Sequence, residues 1–101
     1  MWRMYGLLRN GLLTDIGSRR YVTSQQLPHP IVEVDVTLAG PGRPATHWGW
    51  MQAGKTAPSS IWPTEDLYRT CFHGTPEEQE SAGYGRTVRL SVQPVGRLAT
   101  Q

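Results

Sequence analysis

Ile31 to Leu38, IVEVDVTL, is the longest run in the chain with an unambiguous period. Val32, Val34, Val36 and Leu38 fall on one side and Ile31, Glu33, Asp35 and Thr37 on the other, the alternation of a strand with one buried and one wetter face. Thr87 to Gln93, TVRLSVQ, answers it: Val88, Leu90 and Val92 alternate with Thr87, Arg89, Ser91 and Gln93. The outer face of the first run is acidic and that of the second basic. Opposite charges facing each other across neighbouring strands favour pairing by roughly 0.2–1 kcal/mol. The two are expected to be neighbours, with Glu33 and Asp35 facing Arg86 or Arg89.

Working outward, Trp2 to Leu8 and Leu12 to Ile16 flank Asn10-Gly11, the dipeptide that fits a two-residue type I′ turn because both positions take positive φ. That hairpin places Trp2, Met4, Leu8 and Leu13 on one face and Tyr5, Leu7, Leu12 and Ile16 on the other. Two apolar faces on one hairpin call for cover on both sides, from the rest of the chain or from a second copy. Gly17 to Arg20 reads as a turn, Tyr21 to Thr23 as a short strand, Gln25 to Pro30 as extended linker and Ala39 to Pro44 as a loop. Thr46 to Gln52 reads as a strand with Trp48 and Trp50 on one face, and Gly54 to Ser60 as another loop.

Beyond Pro63 the spacing of Leu67, Tyr68, Cys71 and Phe72 becomes helical, with Thr64 as N-cap, Glu65 and Asp66 at the positive end of the dipole, and Gly74 as stop. This gives a helix over about 65–73, with a strand presenting Tyr68, Thr70 and Phe72 as the competing reading. Thr75-Pro76-Glu77-Glu78 forms a capping box for a second short helix ending near Ala82 and Gly83. Pro94 to Gln101 is expected to be a flexible tail.

The fold class expected is one small α+β domain over residues 1–101: a mainly antiparallel sheet of about five short strands, with one or two short helices between the fourth and fifth. An all-β barrel or roll is the alternative. Eleven glycines and eight prolines in 101 residues argue against a helical bundle. The formal net charge of +2 comes from nine arginines and one lysine without a run of more than two, short of the clustered footprint of a duplex-DNA binder. A single cysteine rules out an intrachain disulfide and favours a reducing, cytoplasmic setting. The N-terminal apolar runs are cut by Arg9, Asn10 and Gly11, so they lack the apolar core of a signal peptide, and no stretch approaches the about 20 apolar residues of a membrane span. Arginine in place of lysine, with abundant Gly, Pro and Ala, fits a GC-rich bacterial genome or mobile element.

Gly49 to Thr56, GWMQAGKT, matches the phosphate-loop pattern G-x-x-x-x-G-K-[ST]. That pattern works where a buried strand feeds the loop and a helix leaves it. Pro58 and Pro63 stand where the helix would run, so Lys55 reads as an ordinary loop lysine and no cofactor is implied. His29, His47 and His73 have no ligand spacing, and no metal site is expected. Cys71 reads as a small core residue rather than a nucleophile. The remaining signal is aromatic: four tryptophans, four tyrosines and one phenylalanine. They build a core, or else Trp48 and Trp50 form a stacking surface with Arg19, Arg20 and Arg43 supplying positive charge.

Three function classes follow. The first is a non-catalytic protein-interaction module that self-associates as a homodimer or takes a protein partner. The second is an aromatic-lined binding module for a small molecule, sugar or single-stranded nucleic acid, and the third a small enzyme.

Overall fold

The computed structural model describes residues 1–25 and 29–98; residues 26–28 of the linker expected over Gln25 to Pro30 lie outside the described residues. Nine elements follow one another: β1 (Trp2–Arg9), β2 (Leu12–Gly17), α1 (Arg19–Ser24), β3 (Ile31–Leu38), β4 (His47–Gln52), β5 (Ser59–Trp62), α2 (Glu65–Cys71), α3 (Pro76–Ser81) and β6 (Gly85–Leu98). The strands form one antiparallel sheet in the order β2-β1-β3-β6-β4-β5. It curls until its two end strands, β2 and β5, come close to each other. The result is an α+β domain built on a nearly closed barrel.

The two periodic runs do pair, with Val36 opposite Val92 and Leu38 opposite Leu90. Asp35 does not face Arg86 or Arg89 as expected. The register sets Asp35 opposite Gln93, and Asp35 is held instead by Arg3, its cross-strand neighbour on β1, at 2.6 Å. Arg89 lies beyond the end of β3 and donates to the Arg43 carbonyl at 2.7 Å. The inner faces supply the barrel core: Val32, Val34 and Val36 from β3, Val88, Leu90 and Val92 from β6, Ile16 from β2 and Ile61 from β5. Each such side chain contributes about 1.5–3 kcal/mol by leaving water.

The hairpin forms around Asn10 (φ 49°) and Gly11 (φ 80°). Its faces differ from the simple alternation at one residue. Between Tyr5↔Gly17 and Leu7↔Thr14, one residue of β1 (Gly6) opposes two of β2 (Asp15 and Ile16), a β-bulge with Asp15 at φ 53°. The bulge turns Ile16 inward, onto the core face shared with Met4 and Leu13. The other apolar face is covered within the chain at Leu7 and, in part, at Tyr5, while Leu12 stays exposed. Leu7, fully buried, packs with Ile31 and with Val22 of α1.

That helix stands where a turn and short strand were expected. The Ser18 hydroxyl accepts from the Tyr21 amide and caps it, and its one apolar anchor, Val22, has Leu7 and Ile31 to bury against, which overrides the β preference of Tyr-Val-Thr. The loop expected over Gly54 to Ser60 ends sooner, since Ser59–Trp62 form β5, a strand of four residues and too short for a period to show. α2 runs from Thr64, whose hydroxyl accepts from the Leu67 amide, and buries Tyr68, so the helical reading holds over the strand. In α3, Thr75 makes no side-chain cap bond, and Pro76 at the first turn and Gly83 (φ 83°) delimit the helix without it. The last strand continues past the expected start of the tail, pairing Pro94 with Val34 and Leu98 with Val32, because β3 runs back to Ile31 and offers the edge. Residues 99–101 of that tail lie outside the described residues.

Candidate functional site

The two end strands are built alike. As Asp15 and Ile16 oppose Gly6, so Ser60 and Ile61 oppose Gly49, between Trp48↔Trp62 and Trp50↔Ser59. Ser60 holds φ 52°, and together with Asn10 and Asp15 it completes the non-glycine residues at positive φ among those described. In both bulges the next residue is an isoleucine that turns into the core over the opposing glycine. Ile16 Cγ1 lies 3.4 Å from where a Gly6 Cβ would stand, and Ile61 Cγ1 3.2 Å from that of Gly49. A left-handed non-glycine residue costs about 1–2 kcal/mol, and such positions concentrate at functional sites.

Both bulges open onto one cleft of about 800 Å³. One wall is Asp15 to Ser18 with Arg19 and Tyr21 of α1, the other Pro58 to Trp62 with Cys71 of α2, and Arg3 to Tyr5 of β1 complete it. The lining mixes apolar groups (Met4, Ile16, Ile61), aromatic rings (Tyr5, Tyr21, Trp62) and polar ones, the composition typical of a ligand site. Its charges differ in availability. Arg3 is bound to Asp35, whose carboxylate holds the guanidinium pKa above its ordinary value. Asp15 is paired with Arg9 at 3.2 Å and accepts from the Thr14 hydroxyl. Arg19 lies over the Tyr5 ring at 5.6 Å and makes no ion pair among the described residues. Partial burial, and secondarily the Asp15 charge, raise the Tyr21 pKa, so its phenol is a neutral hydrogen-bonding group at pH 7.

Of the five residues singled out from sequence as a binding surface, Arg19 alone lines this cleft. Trp50 is 9% exposed and packs edge-on against Phe72 with ring centroids 5.0 Å apart. Trp48 is half-buried beside its strand partners Trp62 and Arg89. Arg20 is exposed on α1, and Arg43 borders a separate hollow of about 290 Å³ near Thr37 and Ser91. The five therefore form no common surface. Cys71, expected in the core, is exposed on the cleft wall, because Tyr68 and Phe72 take the buried face of α2.

A signal for the cleft did exist in the sequence. An isolated glycine inside a strand pattern marks a bulge or a close backbone approach, and Gly6 and Gly49 are such glycines. Gly49 to Gln52 lie in or at the end of β4, and a strand rather than a helix follows Lys55, so the phosphate-loop context is not formed. Among the described residues no group of three or more His, Cys, Asp or Glu side chains is placed to hold a metal ion. Compared with protein-family models, with curated proteins and with solved structures, the chain matches none.

Proposed function

We propose that this protein is a binding module whose ligand lies in the cleft between β1, the β2–α1 corner and β5. The observation that carries this reading is the convergence of both bulges, each with a left-handed non-glycine residue, on one cavity of about 800 Å³. That volume is within the range of about 300–1,000 Å³ of ligand sites. Arg19, stacked on Tyr5, supplies a cation for an anionic group, and Tyr21 and Trp62 supply apolar surface. Among the described residues no histidine lines the cleft, so Cys71 and its serines lack there the imidazole that most often activates such nucleophiles, which favours binding over turnover.

The test is a fluorescence titration with the anionic aromatic probe 8-anilinonaphthalene-1-sulfonate. Arg19→Ala and Tyr21→Ala should each weaken binding roughly threefold to tenfold, the worth of one lost polar or packing contact, with thermal melts close to the parent. A folded protein that does not bind the probe, or binds it equally well in both variants, would remove the reading. Self-association remains a second reading on narrower support. With Leu7 buried under α1, its apolar surface reduces to Leu8 and Leu12, 37% and 55% exposed at the hairpin tip.

A further inference from the structure

Among the described residues three charged side chains line the cleft: Arg3, Asp15 and Arg19. Two of them are already matched. Asp35 neutralises Arg3 from the neighbouring strand at 2.6 Å, and Arg9 neutralises Asp15 at 3.2 Å, with the Thr14 hydroxyl donating to the same carboxylate oxygen at 2.9 Å. Arg19 is the cation left over. It is exposed on α1, its guanidinium carbon lies 5.6 Å from the centroid of the Tyr5 ring, and among the described residues its side chain makes no hydrogen bond or ion pair. A ring face holds a guanidinium through its charge and leaves N–H donors of the fork for an acceptor. Around that cation the lining is mainly apolar, with Met4, Ile16 and Ile61 and the rings of Tyr21 and Trp62.

We propose that the cleft takes a small monocarboxylate with an apolar body, its carboxylate on the Arg19 guanidinium and its body against Ile16, Ile61 and Trp62. This deepens the cleft-ligand reading and rests on it. The charge count selects the acid group. One unmatched cation is balanced by one negative charge, and the guanidinium fork meets the two oxygens of a carboxylate. A phosphate monoester brings nearly two charges at neutral pH and would leave one without a partner. A neutral sugar offers hydroxyls that call for acceptors, and the carboxylate of the cleft, Asp15, already accepts from Arg9 and Thr14. An aromatic acid and a fatty acid share the required chemistry, and separate arms of the experiment tell them apart.

The experiment titrates the full chain calorimetrically at neutral pH with 2-naphthoate and octanoate, with their neutral counterparts 2-naphthylmethanol and 1-octanol, and with 2-naphthyl phosphate. We expect one acid or both to bind about tenfold or more tighter than the matching alcohol, the worth of a charge-assisted hydrogen bond, and the tighter acid identifies the body as aromatic or aliphatic. Naphthoate should also bind more tightly than the phosphate. In Arg19→Gln the preference for acid over alcohol should fall to about one, while Arg43→Gln, at the separate hollow, should leave it intact. Asp35→Asn releases the Arg3 cation into the same cleft and should raise the affinity for the phosphate about twofold to fivefold. Acids that bind no better than their alcohols, a phosphate that binds tighter than naphthoate, a preference that survives Arg19→Gln or vanishes in Arg43→Gln, or a phosphate affinity unmoved by Asp35→Asn would each overturn the proposal. If 8-anilinonaphthalene-1-sulfonate binds in an Arg19- and Tyr21-dependent way while the acids show no preference, the carboxylate assignment falls and the cleft remains a ligand site. If neither the probe nor the acids bind, both readings fall.

Discussion

Two tryptophans that share one strand face have different surroundings, and the difference is measurable. Trp50 is enclosed by Phe72 and Gly85, where even a methyl group would meet the indole at 2.8 Å, so Trp50→Ala should cost about 3–5 kcal/mol. Half-buried Trp48 should cost clearly less, and equal losses in thermal melts of the two would contradict this packing. His47, 4% exposed, is a polar residue buried at the core. Its Nε2 donates to the Leu13 carbonyl at 2.7 Å, and its Nδ1, 2.9 Å from Thr46 Oγ1, accepts from that hydroxyl, which itself accepts from the Val92 amide. Burial lowers its pKa below the ordinary 6.5, outweighing the opposing hydrogen bond to Leu13. A lowered folded-state value means that the unfolded chain binds the proton first, so the contribution is complete above about 6.5 and is lost as pH falls toward the folded-state value. Urea titrations between pH 7.5 and 5 should show stability falling with pH, with a shallower slope in His47→Gln. Equal slopes would assign the dependence elsewhere.

How much could be read in advance differs from element to element for physical reasons. The Asn10-Gly11 hairpin, β3, most of β6 and α2 were legible, because turn chemistry and long periods are local signals. α1 was not, since six residues with one buried valine carry no period and the helix depends on Leu7 and Ile31 beneath it. β5 was missed for the same shortness. Of the candidate site only Arg19 was legible, because the cleft is made by two bulges meeting across the sheet rather than by any one stretch. The bulges themselves yield a prediction. Ser60→Gly removes a left-handed strain of about 1–2 kcal/mol and adds a backbone-entropy cost of about 0.5–1, so stability should hold or rise. Gly49→Ala drives a methyl into Leu90 at 3.0 Å and the Ser59 carbonyl at 3.2 Å and should cost about 1–3 kcal/mol. A loss in Ser60→Gly, or none in Gly49→Ala, measured by denaturant titration, would refute the strained-bulge account.

At the scale of the whole molecule, the α+β class with a barrel alternative was within reach of sequence because the sheet is curled enough to be both. Among the described residues no helix is long and apolar enough to cross a membrane. Of the two kinds of cover open to the hairpin's second apolar face, the chain itself supplies one over Leu7, through an element that local propensity hides. With Leu8 and Leu12 the large apolar residues left exposed on the described hairpin, sedimentation at micromolar concentration should give one chain per particle, and a dimer mass would support self-association. The order of strands has a consequence in time. β6, the last strand, lies at the centre of the sheet between β3 and β4, so the hairpin half and the β4–β5 half have no shared ladder until residues 85–98 arrive. Assembly must wait for contacts distant along the chain, the kind that slow folding to milliseconds or longer. During synthesis the first eighty residues would leave the ribosome with two unpaired edges at the centre of the future sheet, a window in which aggregation competes and a chaperone would have something to hold.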